Sequence, residues 1–118
     1  METAKMKTVI LEVATADELK RRALAAFKGR RQDSRISFSS PELLWKVLTP
    51  KRWDLLKAMA GQPAMTIREA ARRVGRDVKA VHGDVHALLD CGILDKTANG
   101  RIQFRFDAVR VAFTLHAA

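Results

Sequence analysis

Residues 70–89, AARRVGRDVKAVHGDVHALL, constrain this chain more than any other stretch. They read as two helices joined at Gly75. The second carries an apolar row, Val78, Val81, Val85 and Leu88, at spacings of three, four and three, which marks one buried face. Its other face is short, polar and partly basic. Such a face is either a solvated surface or one shaped to enter a groove of DNA, and the rest of the chain decides between them.

The flanking segments carry clear start and stop signals. KTVILEV, residues 7–13, is rich in β-branched residues and reads as a strand. Ala16-Asp17-Glu18 then opens a helix in which Leu19, Leu24 and Phe27 form an apolar stripe, ending near Gly29. Arg22, Lys28, Arg30, Arg31 and Arg35 cluster around its C-terminus, where favourable interaction with the helix dipole outweighs a phosphate-contact reading. RISF is a short strand. In SSPELL, Ser40 caps a helix, Pro41 suits its first turn and Glu42 favours the positive end of the dipole. TPKRW repeats that logic: Thr49 caps, Pro50 follows, and Trp53, Leu56, Met59 and Ala60 recur at helical spacing until Gly61. Trp45 and Trp53 each belong to an apolar helical face and read as core anchors rather than base-stacking platforms.

Thr66 caps the helix IREAARRV, Gly75 ends it, and Asp77 caps the next, which runs to about Cys91 before Gly92. ILDK, the turn at Asn99-Gly100 and RIQFRF follow as a hairpin, with Ile102, Phe104 and Phe106 alternating with Arg101, Gln103 and Arg105. VRVAFTL alternates too and is a strand able to pair with residues 7–13.

Helix, turn, helix and basic hairpin, within about 45 residues, is the order of a winged helix-turn-helix. Ala71 is small where two helices must approach closely, Gly75 supplies the turn, and Val81 is placed to be buried against the first helix. The stretches LTPKRWDLLKAM, TIREAARRVGRDVKAVHGDVHALLDCGIL and GRIQFRFDAVRVAFTL resemble the small prokaryotic MarR-like winged helix-turn-helix regulators. Together they cover most of residues 43–115. The resemblance implies a homodimer that binds operator DNA, with antitoxin-like members among its relatives. Gly83 departs from it, standing where similar proteins tend to carry a larger polar or basic residue. The expected fold is therefore α+β: a winged helix-turn-helix domain over 39–118 with a C-terminal strand, preceded by a strand-helix extension over 1–38 that serves dimerisation or partner contact.

In such a motif the N-terminal residues of the second helix reach base edges. Arg76, Lys79, Ala80, His82 and Gly83 are the candidates: Lys79 donates to guanine, His82 donates or accepts, and Ala80 and Gly83 are small enough to let the helix sit deep. Arg68, Arg72 and Arg73 on the preceding helix, with Lys96, Asn99 and Arg101 at the wing, would contact phosphates. Asp77 is assigned to capping and Asp84 to one side, since both repel phosphate.

Charge supports that partner. Lys+Arg of 22 against Asp+Glu of 13 gives a net charge of +9, which attracts polyanions. At 118 residues there is room for one core but not for a catalytic domain and a regulatory one. No nucleophile elbow, phosphate-cradling loop or spaced carboxylate pair is visible, so no enzyme, no catalytic residue and no cofactor is expected; a nuclease built on Asp84, Asp90 and Asp95 is a weak alternative. His82 and His86, at i and i+4 near Asp90 and Cys91, have a spacing that chelates zinc, but they fall on the face given to DNA and further ligands are not obvious, so no metal is expected. Cys91 excludes an internal disulfide and reads as a small buried hydrophobe rather than a redox switch. No run is long enough to cross a membrane and none reads as a signal peptide, so a cytoplasmic protein with no membrane partner is expected. The competing class is a protein-interaction module or antitoxin, binding a toxin partner through the edge strand MKTVILEV and the helix after it.

Overall fold

The computed structural model describes residues 7–27 and 34–114. Its elements run β1 (Thr8–Val13), α1 (Ala16–Phe27), β2 (Ser34–Phe38), α2 (Pro41–Val47), α3 (Pro50–Met59), α4 (Ile67–Val74), α5 (Val78–Asp90), β3 (Asp95–Lys96), β4 (Ile102–Gln103) and β5 (Ala108–Ala112). The architecture is α+β, with a three-stranded sheet in the order β2-β1-β5 and a separate β3-β4 pair. The expectations placed on Gly29, on the Phe27 side chain, on Lys28, Arg30 and Arg31, and on Leu115 lie outside the described residues.

Both pairings of β1 are parallel: Leu11 stands opposite Ile36 on one side and Val111 on the other. Parallel neighbours need long crossovers. Helix α1 supplies one, and everything from α2 to β4 lies within the other. The first strand thus becomes the middle strand, paired along both of its backbone edges. This corrects the expectation that MKTVILEV offers an edge to another chain, because the outer edges of this sheet belong to β2 and β5.

The period of two in β1 sends Val9 and Leu11 to one face of the sheet. There they join Phe38, Leu44, Leu48, Leu55, Leu56, Met59, Val81, Val85 and Leu88 in a single core, with Ile36, Val109 and Val111 packed against it. The strands before residue 39 and the helices after it therefore share one interior. Ile10 and Glu12 face the other way. Glu12 is only 5% exposed, and its carboxylate accepts from Arg22 of α1, from Arg35 at 2.8 Å and from Ser37 at 3.1 Å. That ion-pair cluster ties α1 to the sheet through a polar side chain. Leu19 and Leu24, two members of the expected apolar stripe, are exposed.

Local signals set the helix starts. Ser40, Thr49 and Thr66 each accept the backbone N–H three residues on, from Leu43, Arg52 and Glu69, and Asp77 accepts from Lys79. Each satisfies one of the donors a helix start leaves unpaired. The tryptophans correct a further expectation: Trp45 is 55% and Trp53 37% exposed. Leu44 and Leu48, then Leu55, Leu56 and Met59, fill the core in their stead. Two short helices meeting one interior need only a narrow stripe each.

The strand expected through RIQFRF contracts to Ile102–Gln103, although Ile102 and Phe104 are buried as the alternation implies. Thr97 N–H donates to Arg101 O at 2.8 Å, enclosing Ala98, Asn99 and Gly100. Gly100 has φ 82°, the left-handed conformation a three-residue hairpin loop places at its end. Met65, just before α4, exchanges both backbone hydrogen bonds with Ile102, at 2.8 and 2.9 Å, so the hairpin is anchored to the helices from both directions.

Candidate nucleic-acid interface

The turn between α4 and α5 is closed by backbone bonds. Gly75 adopts φ 66°, which lets Arg76 N–H reach Ala71 O at 3.0 Å and Gly75 N–H reach Arg72 O at 3.2 Å. This double bond pattern satisfies the last carbonyls of α4 and needs a residue free to take positive φ. Asp77 then accepts Lys79 N–H at 3.0 Å and starts α5. Ala70 and Ala71 are buried against α5, whose Val81, Val85 and Leu88 have no exposed surface. Val78, expected in the same row, is 41% exposed.

Lys79, Ala80, His82, Gly83 and His86 are exposed on α5. Their spacing of three and four places Lys79, His82, Gly83 and His86 along one stripe. His82 and His86 bring their Nε2 atoms to 3.1 Å, so the two rings pair along that stripe. Among the described residues no group of three or more His, Cys, Asp or Glu is placed to hold a metal ion. Cys91 donates to Leu88 O at 3.4 Å, and burial pushes its thiol pKa up, away from reactive thiolate.

Arg76 is turned away from that stripe. Its Nη2 lies 2.8 Å from Asp84 Oδ2, while Arg52 Nε donates to Asp84 Oδ1 at 3.0 Å. Arg76 Nη1 and Asp84 Oδ2 make no aligned hydrogen bond, so the Arg76 contact is an ion pair in distance only. Arg52 also donates to the carbonyls of Val47 at 2.9 Å and Lys46 at 3.3 Å. One arginine thereby joins the end of α2, the start of α3 and the middle of α5. Sequence reasoning placed Asp84 to one side but missed this staple, because its partner lies 32 residues away.

On α4, Arg68 and Arg72 are exposed and Arg73 less so. Glu69 takes a two-pronged contact from Arg72, at 2.6 and 2.8 Å, and another from Arg73 at 3.1 Å. Arg72 and then Arg73 hold the Glu69 carboxyl below its usual range, and Glu69 raises the Arg72 guanidinium. Arg73 reaches Gln62 as well, at 3.2 Å. At the hairpin, Lys96, Asn99 and Arg101 are exposed, with Asn99 accepting from Thr97 Oγ1. Among the described residues no helix is long and apolar enough to cross a membrane.

The HVO_A0114 family model matches residues 47–111, more than half of the chain, from the end of α2 into β5. No curated protein and no solved structure matches it.

Proposed function

We propose a DNA-binding function for this chain, which belongs to the HVO_A0114 family: a winged helix-turn-helix regulator, MarR-like in kind and homodimeric, that reads double-stranded DNA with α5 and contributes no catalytic step. The observation that carries the reading is the outer stripe of α5. It presents Lys79, His82 and Gly83, with small Ala80 beside them, on a helix whose Val81, Val85 and Leu88 are fully buried and whose start is fixed by the Gly75 turn. A helix with small residues and an exposed cation suits the major groove, where Lys79 would donate to guanine O6 or N7. Arg68, Arg72, Lys96 and Arg101 are the phosphate contacts of this reading, and Arg73 and Asn99 assist them. Arg76, held by Asp84, positions the turn and does not itself read a base.

The test is binding of the purified protein to the DNA upstream of its own gene and to a scrambled duplex of equal length, titrated across salt. A preference of about 10³-fold or more is the expected result, within the range of specific recognition. Equal binding with a steep salt slope means charge alone acts, and absence of binding overturns the proposal. The exposed Leu19 and Leu24 of α1 favour a second reading, an antitoxin-like surface for a partner protein. Replacing both leucines by serine then abolishes partner binding and spares DNA binding.

A further inference from the structure

We infer that the groove between Trp45 and Trp53 is a binding site for a lipophilic organic cation. The groove has a volume of about 610 Å³ and is lined by Trp45, Pro50, Trp53, Asp54 and Val111, together with Leu48 and Thr49. That volume falls within the usual range for small-molecule sites. Both indoles are more exposed than a core requires, and Trp45 is held edge-to-face by Phe113 at a centroid distance of 5.6 Å. Two indoles lining one groove, one of them braced by Phe113, offer apolar aromatic surface to a flat or spherical apolar group.

Charge selects among such groups. Among the described residues no lysine or arginine lines the groove, although the chain has 22 of them. Among the described residues the one charged group in its lining is Asp54, which is exposed and makes no ion pair with another of them. Indole faces attract cations, and a carboxylate beside them adds to the preference while repelling anions. The start of α3 offers an anion little in return. Pro50, its first residue, has no N–H to donate.

The site abuts the staple that fixes α5. Arg52, two residues after Pro50, bonds the carbonyls of Lys46 and Val47 and the Asp84 carboxylate. A cation wedged between α2 and the first turn of α3 shifts the geometry that Arg52 depends on, and so weakens the hold on α5. This coupling rests on the DNA-binding reading; the site itself does not.

Trp45 and Trp53 are the only two tryptophans of the chain, so intrinsic fluorescence reports the groove directly. The full chain is titrated with tetraphenylphosphonium and, separately, with tetraphenylborate, an anion of the same shape. The expected result is a saturable change with the phosphonium alone, with affinity about tenfold weaker in Asp54→Asn. Asp54 is exposed, so that variant is expected to keep the wild-type circular dichroism, and Trp45→Phe serves as a second variant that also weakens binding. An equal response to both ions, an unchanged affinity in Asp54→Asn, or no response overturns the proposal. So does a tryptophan emission that shifts with protein concentration alone together with a dimer lost in Trp45→Phe, since a second copy then fills the groove. Release of the bound upstream duplex by the phosphonium supports the coupling, and binding of the ion without release overturns the coupling alone.

Discussion

Gly83 lies in the middle of α5 without a positive φ, and a Cβ built there meets nothing within 4 Å. Neither backbone nor packing requires a glycine. Gly83→Ala is therefore expected to stabilise the protein by about 0.5–1 kcal/mol, read as a higher urea midpoint at unchanged slope. Lys79, exposed on the same stripe, carries the opposite expectation. Lys79→Ala leaves stability within about 0.5 kcal/mol of wild type but lowers the preference for the upstream duplex over scrambled DNA about tenfold or more, corresponding to one lost base contact. A Lys79→Ala protein with full specific affinity removes Lys79 from the reading face. Single side chains were legible in the sequence where a local rule governs them. Asp77 caps and Val81 is buried because turn and periodicity fix both. The proximity of Arg76 to Asp84, eight residues on, was not legible, because no local rule pairs the turn with the middle of α5.

Among the elements, α2, α3 and α5 are joined by one side chain. Arg52 and Asp84 are 20% and 15% exposed, so their contact is sheltered but not dry. Removing Arg52 loses its bonds to two carbonyls and leaves Asp84 with only the unaligned Arg76 contact. Arg52→Ala is expected to cost about 2–3 kcal/mol in chemical denaturation, and the Arg52→Ala/Asp84→Ala cycle should show a coupling of about 1 kcal/mol or more. A coupling near zero means the two side chains act independently and the staple is only a neighbourly contact. Element starts were visible in the sequence since Ser40, Thr49 and Thr66 act within three residues. The parallel pairing of β1 with β2 and β5 was not. The same alternation fits an edge strand and a central one, and register between strands 25 and 100 residues apart leaves no local mark. Trp45 and Trp53 failed for a related reason: an apolar helical face predicts burial only if something covers it.

At the scale of the whole molecule, a charge of +9 says that polyanions are attracted but not where. Ion pairing decides how many cations remain to act. Arg52, Arg76 and Arg105 are engaged with Asp84 and Asp95, and Arg22 and Arg35 with Glu12. Glu69 divides itself between Arg72 and Arg73, within the set assigned to phosphate. Its carboxyl is lowered in the folded state, so the contribution of these pairs to stability is present above the ordinary pKa of 4.5 and is lost as pH falls through the lowered value. Between pH 6 and 8 the carboxylate stays ionised and holds both arginines. Glu69→Gln frees them. If α4 lies along the DNA backbone, the variant binds every duplex more tightly and the slope of log K against log salt steepens by about 1, with the ratio of upstream to scrambled affinity unchanged. Arg101→Ala moves the slope the other way by a similar amount. A Glu69→Gln protein with wild-type salt dependence places α4 away from phosphate, and the phosphate set then reduces to Lys96, Asn99 and Arg101 on the hairpin.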